Sequence, residues 1–191
     1  DNYFVGAQQS GDTIGVTANL SKGTIKGGQG NDTLSFTAGA SITSSFVNTN
    51  ANNDTIGANN ARANFFSSTV LGGKGNDTLT IGTISEASAN GNKGTDTLNS
   101  VSTLSSTLFG GQGNDTITST ATDKSTISGD LGNDTITLGA NNTNDNAING
   151  GDGNDTFNLT ASAAGQTFNR NTITGGAGND IVNGNVVVNS T

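Results

Sequence analysis

The sequence predicts an all-β fold, a right-handed parallel β-solenoid of about nine coils with about 21 residues each. Three observations predict it. A Gly-rich phrase ending in Asp recurs along the chain, apolar residues keep fixed positions relative to that Asp, and helix start and stop signals are absent. Repeats of this length indicate stacked architectures in which each unit packs against its neighbours.

The recurring phrase is Gly-Gly-x-Gly-Asn-Asp-Thr followed by an apolar residue. Full copies lie at 27–34, 72–79, 110–117 and 150–157. Near-copies lie at 129–136 and 175–181, and weaker ones at 10–14, 52–56 and 91–98. The nine Asp that end these phrases are 19 to 25 residues apart: Asp12, Asp32, Asp54, Asp77, Asp96, Asp115, Asp134, Asp155 and Asp180. We number the coils one to nine by these repeat Asp.

Apolar residues form columns when the coils are aligned on the repeat Asp. Two residues after it come Ile14, Leu34, Ile56, Leu79, Leu98, Ile117, Ile136, Phe157 and Val182. Seven residues before it come Val5, Ile25, Val47, Val70, Ala89, Leu108, Ile127, Ile148 and Ile173. Partial columns four after and twelve before the Asp predict further inward positions. A disordered chain, which this acidic composition would otherwise suggest, has no reason to keep such columns.

Each coil is expected to contain two or three short strands. Segments such as 33–36 and 135–138 alternate polar and apolar residues, which is the period of a strand with one buried face. The Gly-rich phrase between strands is predicted to be a turn, because Gly and Asn tolerate positive φ. We expect residues 1–191 to form a single domain. The absence of Met further suggests a segment or processed piece of a larger secreted protein.

Composition excludes several classes of function. The net charge is −8 and the seven basic residues form no run, which argues against nucleic-acid binding. The chain has no Cys and no His, so neither a disulfide scaffold nor a Ser–His or Cys–His triad is possible. The sequence contains no stretch of 18 apolar residues, so it predicts no transmembrane helix. We therefore expect no enzyme, because the remaining candidates, the Asp carboxylates, occupy repeat positions.

The stacked turns predict a row of cation sites. Parallel strands stack at about 4.8 Å, so the repeat Asp would form a ladder of like charges that repel unless a cation lies between them. Calcium takes six to eight oxygen ligands, which Asp and exposed Gly carbonyls supply, whereas zinc and copper prefer the missing His and Cys. The candidate metal residues are Gly27, Gly30, Asp32, Gly72, Gly75, Asp77, Asp96, Gly110, Gly113, Asp115, Gly129, Gly132, Asp134, Gly150, Gly153, Asp155, Gly175, Gly178 and Asp180.

At these residues the chain resembles the RTX, or haemolysin-type calcium-binding, repeat family, whose nonapeptide is Gly-Gly-x-Gly-x-Asp-x-(apolar)-x. Residues 150–157 fit that pattern fully. The resemblance implies a parallel β-roll with several Ca²⁺ ions in its turns, secretion from a bacterial cell, and folding triggered by external calcium. Several matches in one chain make this a specific signal.

The chain departs from the family pattern in ways that bear on individual sites. The motif occurs once per coil instead of every nine residues, which implies one row of ions on one edge. Coils one and three lack most of the glycines, and Lys74 and Lys93 lie within turns, where an ammonium should weaken a cation site. We expect the best sites between the turns of Asp115, Asp134, Asp155 and Asp180. The alternative is a metal-free solenoid whose Asn ladders satisfy the turns.

The function predicted from these features is a calcium-binding structural module of an extracellular bacterial surface assembly, an S-layer or a filament. Its expected partners are other copies of itself, joined end to end or laterally, and cell-surface polysaccharide. The alternatives are a calcium-stabilised adhesin segment that binds ice or glycan, or the calcium-binding tail of a secreted enzyme. The ice alternative rests on the Thr that follows eight of the nine repeat Asp.

Overall fold

The computed structural model describes residues 4–6, 9–57, 62–139, 143–160 and 168–184. Within these ranges every paired strand is parallel to its neighbour and no helix occurs. Successive strands of a sheet come from successive coils, so the chain winds as a solenoid. The predicted all-β parallel solenoid is confirmed. The described part of the solenoid makes about seven turns, slightly fewer than the nine coils expected.

The first sheet holds the strands that lead into the Asp turns. Its nine strands pair in chain order: β1 (Phe4–Gly6), β4 (Thr24–Gln29), β7 (Phe46–Ala51), β10 (Thr69–Lys74), β12 (Ser88–Lys93), β14 (Thr107–Gln112), β16 (Thr126–Leu131), β19 (Ala147–Asp152) and β22 (Thr172–Ala177). Every strand is in register with the next, so the column seven residues before the Asp runs unbroken from Val5 to Ile173.

The second sheet holds the strands that leave the turns. They are β2 (Thr13–Val16), β5 (Thr33–Phe36), β8 (Thr55–Ile56), β11 (Thr78–Ser85), β13 (Thr97–Leu104), β15 (Thr116–Asp123), β17 (Thr135–Gly139), β20 (Thr156–Thr160) and β23 (Ile181–Gly184). A third face carries β3 (Leu20–Ser21), β6 (Ser41–Thr43), β9 (Asn64–Phe66), β18 (Thr143–Asn144) and β21 (Phe168–Asn169). In the shortest coils the eight-residue strands β11, β13 and β15 run across both faces without interruption.

The core is the file of apolar side chains inside these three faces. The columns two after and seven before the Asp are buried in coils two to eight, including Ile25, Leu34, Leu79 and Ile136. The residue twelve before the Asp also points inward, as predicted: Phe65 is fully buried and packs edge-on against Phe36, with ring centroids 5.8 Å apart. Burying this surface is the main favourable term in folding.

Hydroxyl groups replace part of the apolar file in coils five and six. The Thr103 hydroxyl lies 2.9 Å from the Ser100 hydroxyl and 3.0 Å from that of Ser119, and all three side chains are buried. Because buried hydroxyls must find partners, these residues satisfy one another where an aliphatic column would otherwise continue. The core is therefore least apolar in the middle of the stack.

Candidate metal centre

Each Asp turn connects a strand of the first sheet to a strand of the second. In coil six, β14 ends in Gly110-Gly111-Gln112, and the chain reverses through Gly111 and Gly113 at φ of 112° and 127°. L-residues with a side chain rarely adopt such angles, so the turn favours glycine, with Asn or Asp at the first position in three coils and Asn at the second in coil three. Asp115 then directs its carboxyl into the interval between coils.

The repeat Asp side chains are buried and hydrogen-bonded in series. From Asp32 to Asp155 their exposed fraction is at most 2%. Each Oδ1 accepts the backbone N–H of the repeat Asp one coil earlier, at 2.6–2.9 Å, from the Asp12–Asp32 pair to the Asp155–Asp180 pair. The carboxyls are therefore fixed in position by the backbone of the neighbouring turn.

The second carboxyl oxygen of each buried Asp has no partner. Seven buried Oδ2 atoms make no hydrogen bond in the described part of the chain, those of Asp32, Asp54, Asp77, Asp96, Asp115, Asp134 and Asp155. The Asn column one residue earlier behaves differently, because Asn133 and Asn154 each accept a backbone N–H from the next coil at 2.7–2.8 Å. Hydrogen bonds between turns without metal therefore satisfy the Asn side-chain oxygens but leave the Asp Oδ2 atoms without a partner.

Glycine keeps open the space that each Oδ2 faces. We call the residue five before the repeat Asp the first-Gly position. A Cβ atom added to Gly110 would lie 2.5 Å from Asp115 Oδ2 and 2.8 Å from the carbonyl oxygen of Gly129 in the next coil. The same space at Gly72 is bounded by Asp77 Oδ2 and the next coil's carbonyl. A carboxylate oxygen and a backbone carbonyl therefore converge between coils.

The structure separates the predicted site residues into two groups. The repeat Asp and the first glycines (Gly27, Gly72, Gly110, Gly129, Gly150 and Gly175) meet at the open space. The third glycines of the motif (Gly30, Gly75, Gly113, Gly132, Gly153 and Gly178) lie at the bend with positive φ, where an added Cβ would collide with backbone of the preceding turn. These glycines shape the path of the turn, and their role as calcium ligands stays a prediction.

Burial raises the pKa of the ladder carboxyls. Desolvation raises the pKa of Asp54, Asp96 and Asp115 to about 6, against the hydrogen bonds that their Oδ1 atoms accept. It raises the pKa of Asp77 and Asp134 to about 7, where the charges of neighbouring Asp add to the effect of burial. Keeping these carboxyls charged therefore costs free energy, which a bound cation would offset.

The donor set fits a hard cation. Among the described residues no three His, Cys, Asp or Glu side chains group into a metal cluster, so any ligand set here must combine one Asp per coil with backbone carbonyls. All-oxygen sets of this kind suit calcium and not zinc. The Lys74 and Lys93 side chains within the turns are exposed, on the solvent side of the buried carboxyls. The predicted weakening by these ammonium groups stays a prediction.

A second ladder along another edge was not predicted. Nine residues before the repeat Asp, the side chains of Ser45, Ser68, Ser106, Ser125 and Asn146 accept a backbone N–H from the preceding coil. All five side chains are buried, so each bond satisfies an amide that water cannot reach. The signal is visible in the sequence as a polar column nine before the Asp, although it is interrupted at Ala87.

Comparison with known proteins gives one result. Neither a curated protein nor a solved structure matches the chain. The described residues contain no helix long and apolar enough to cross a membrane. The family described as RTX calcium-binding nonapeptide repeat (four copies) matches residues 24–42, 53–82, 105–123, 120–144, 142–161 and 168–186. These ranges span well over half of the chain, which therefore belongs to the family of RTX calcium-binding repeat proteins.

Proposed function

We propose that the protein is a calcium-binding structural module of an extracellular bacterial assembly, and that calcium bound between successive Asp turns holds its coils together. The observation that carries this proposal is the row of buried Oδ2 atoms without partners, one per coil from Asp32 to Asp155. An unpaired buried carboxylate oxygen costs stability. A regular row of such oxygens indicates that the folded state includes a ligand along this edge.

Within each interval the Asp Oδ2 of one coil and the carbonyl at the first-Gly position of the next coil would hold the ion. The strongest candidates remain the intervals between Asp115, Asp134, Asp155 and Asp180, where the first-Gly residues are all glycine. Bound calcium would neutralise the buried charge and link adjacent coils. The Asp96 N–H and its equivalents orient each carboxylate, since their bonds to Oδ1 leave Oδ2 directed at the open space.

A calcium titration of EDTA-treated protein tests this proposal. Far-UV circular dichroism should show β-structure that increases with calcium, and magnesium at the same ionic strength serves as the control. Light scattering on the same sample reports assembly. An identical β signal with and without calcium, together with no calcium bound in equilibrium dialysis, would refute the calcium assignment.

Assembly with other copies of the chain is the second part of the proposal. It is supported by exposed large apolar side chains in the middle of the chain, Val101, Leu104 and Leu131, which are 37–46% exposed. Lateral packing of modules would cover them. RTX repeat proteins are typically secreted, which agrees with an extracellular surface location, an S-layer or a filament. We propose a structural and not a catalytic role, because the repeat Asp side chains recur once per coil and are buried between the turns.

An adhesin role is the runner-up, and one observation favours it. On the outer side of the second sheet, Thr97, Thr116, Thr135 and Thr156 lie in register on successive strands, as Thr118 and Thr137 do two residues further along the chain. A flat hydroxyl array with a spacing of about 4.8 Å can order water. Ice-recrystallisation assays of wild type and T116K test this role. T107K on the first sheet is the matched control, and equal inhibition by both variants would exclude the Thr face.

A further inference from the structure

Coil three departs from the others at the first-Gly position. In coils two and four to nine this residue is glycine, and in coil three it is Thr49. Elsewhere an added Cβ would enter the space between the Asp Oδ2 and the carbonyl of the next coil. Thr49 has that Cβ, so its side chain occupies the space that glycine leaves open in the other coils.

The Thr49 side chain is bonded within this space. It is fully buried, and its hydroxyl donates to the carbonyl oxygen of Gly72 at 2.7 Å. Gly72 is at the first-Gly position of coil four, so its carbonyl corresponds to the Gly129 carbonyl that faces Asp115 Oδ2. One oxygen available to a ligand in other intervals is therefore already hydrogen-bonded in this one.

The hydroxyl also lies beside the carboxyl of its own coil. Asp54 is 2% exposed and close enough to Thr49 to interact with it. Asp54 Oδ2 nevertheless has no hydrogen bond, because the single hydroxyl hydrogen is donated to Gly72. The interval between coils three and four is thus filled by a neutral side chain and does not offer the open oxygen pair of its neighbours.

The backbone of the coil-three turn keeps the path of the other turns. Asn50 and Asn52 adopt φ of 73° and 79°, and they hold the positive-φ positions that are glycine in most other coils. Asp54 Oδ1 accepts the Asp32 N–H at 2.6 Å, and the Asp54 N–H donates to Asp77 Oδ1 at 2.8 Å. The turn therefore differs in what fills the space, while its bonds to the neighbouring turns are unchanged.

We infer that the Thr49 hydroxyl takes the place of a cation between coils three and four, so that the row of calcium ions is interrupted there and T49G would open one additional site. This inference rests on the proposed calcium function. It implies that the joint between coils three and four is held by the bond from Thr49 to Gly72 without a metal, and that Asp54 Oδ2 stays unpaired there, whereas the joints on either side, bounded by Gly27 and Gly72, depend on calcium.

The test is the number of calcium ions bound per full-length chain at saturation, measured by equilibrium dialysis. T49G should bind one ion more than wild type, and T49S, which keeps the hydroxyl, should bind the wild-type number. In EDTA, T49G should unfold at a lower urea concentration than T49S, because the bond to Gly72 is lost without replacement. The reciprocal variant G110T, which places a hydroxyl in an open interval, should bind one ion fewer.

The outcomes separate this inference from the proposed function. If wild type binds calcium and T49G binds the same number, the inference is wrong. If T49G does not fold, an unchanged ion count in G110T overturns it instead, and the loss of one ion supports it. A wild-type chain that binds no calcium would refute the proposed function itself.

Discussion

Replacing Asp115 by Asn should stabilise the calcium-free protein and destabilise the calcium-loaded one. Asn keeps an acceptor for the Asp96 N–H, which donates to Asp115 Oδ1 at 2.7 Å, and removes the buried charge. Burial raises the pKa of Asp115 from 3.8 to about 6. At pH 7 this difference corresponds to a cost of roughly 3 kcal/mol for keeping the carboxylate charged. Subtracting roughly 1 kcal/mol for an unpaired amide hydrogen leaves D115N about 2 kcal/mol more stable in EDTA.

Calcium should reverse this order. At a free concentration about 1,000 times the dissociation constant, one ion contributes about 4.1 kcal/mol to the stability of the folded state. D115N loses at least one such ion and should become about 2 kcal/mol less stable than wild type. Urea unfolding of both proteins in EDTA and in calcium measures the two differences.

The control for D115N is D152N, which removes the same charge from an exposed turn position. Its stability should stay within about 0.5 kcal/mol of wild type in both conditions. A D115N protein that is destabilised equally in EDTA and in calcium would refute the reasoning. Asp115 would then act only through its hydrogen bond to the neighbouring turn.

Three further predictions concern the same ladders. The unfolding free energy of the calcium-free protein should rise as the pH falls from 8 to 5. In the folded state the buried carboxyls have pKa values of about 6 to 7, so they take up protons over this range before the carboxyls of the unfolded chain do. A fall in the urea midpoint of unfolding over this range would contradict the burial argument. G110A should bind one calcium ion fewer than wild type in equilibrium dialysis, because its Cβ would lie 2.5 Å from Asp115 Oδ2. G15A is the control and should bind the wild-type number, because its Cβ would lie 3.8 Å from the nearest atom. S106A removes the acceptor of the buried Ala87 N–H. It should lower the free energy of unfolding, measured with urea, by about 1–3 kcal/mol, and by the same amount in EDTA and in calcium. An effect that depends on calcium would instead place Ser106 among the groups that act on the metal sites.

The columns were predictable because a parallel stack repeats one environment per coil. Ile25 and Leu34 are buried for the same reason as Ile127 and Ile136, so the sequence needs only to be aligned on its Asp to show which positions face inward. The Asp ladder followed from the same alignment. Its burial was not predictable, because a carboxylate in a turn usually lies at the surface.

The features that sequence reasoning missed depend on contacts between coils. Ser106 belongs to a polar column nine before the Asp, but only the structure shows that its hydroxyl accepts the Ala87 N–H from the coil before. Thr49 looks like a loss of motif, and only the contact with the Gly72 carbonyl shows that it fills the space. Such residues act through partners 19 to 23 positions away, which motif matching within one repeat does not examine.

The eight-residue strands of the shortest coils have a consequence for how this protein can change in length. A circuit of 19 residues, as between Asp96 and Asp115, is closed with one strand crossing two faces. In the longer coils extra residues lie between the strand of the second sheet and the strand of the third face, as in 37–40 between β5 and β6, and the register of both strands with their neighbours is preserved. This corner is therefore the place where evolution or a protein engineer can insert foreign segments. Peptides grafted there would be displayed as an ordered series along one edge of a rod, without disturbing the edge that carries the Asp ladder.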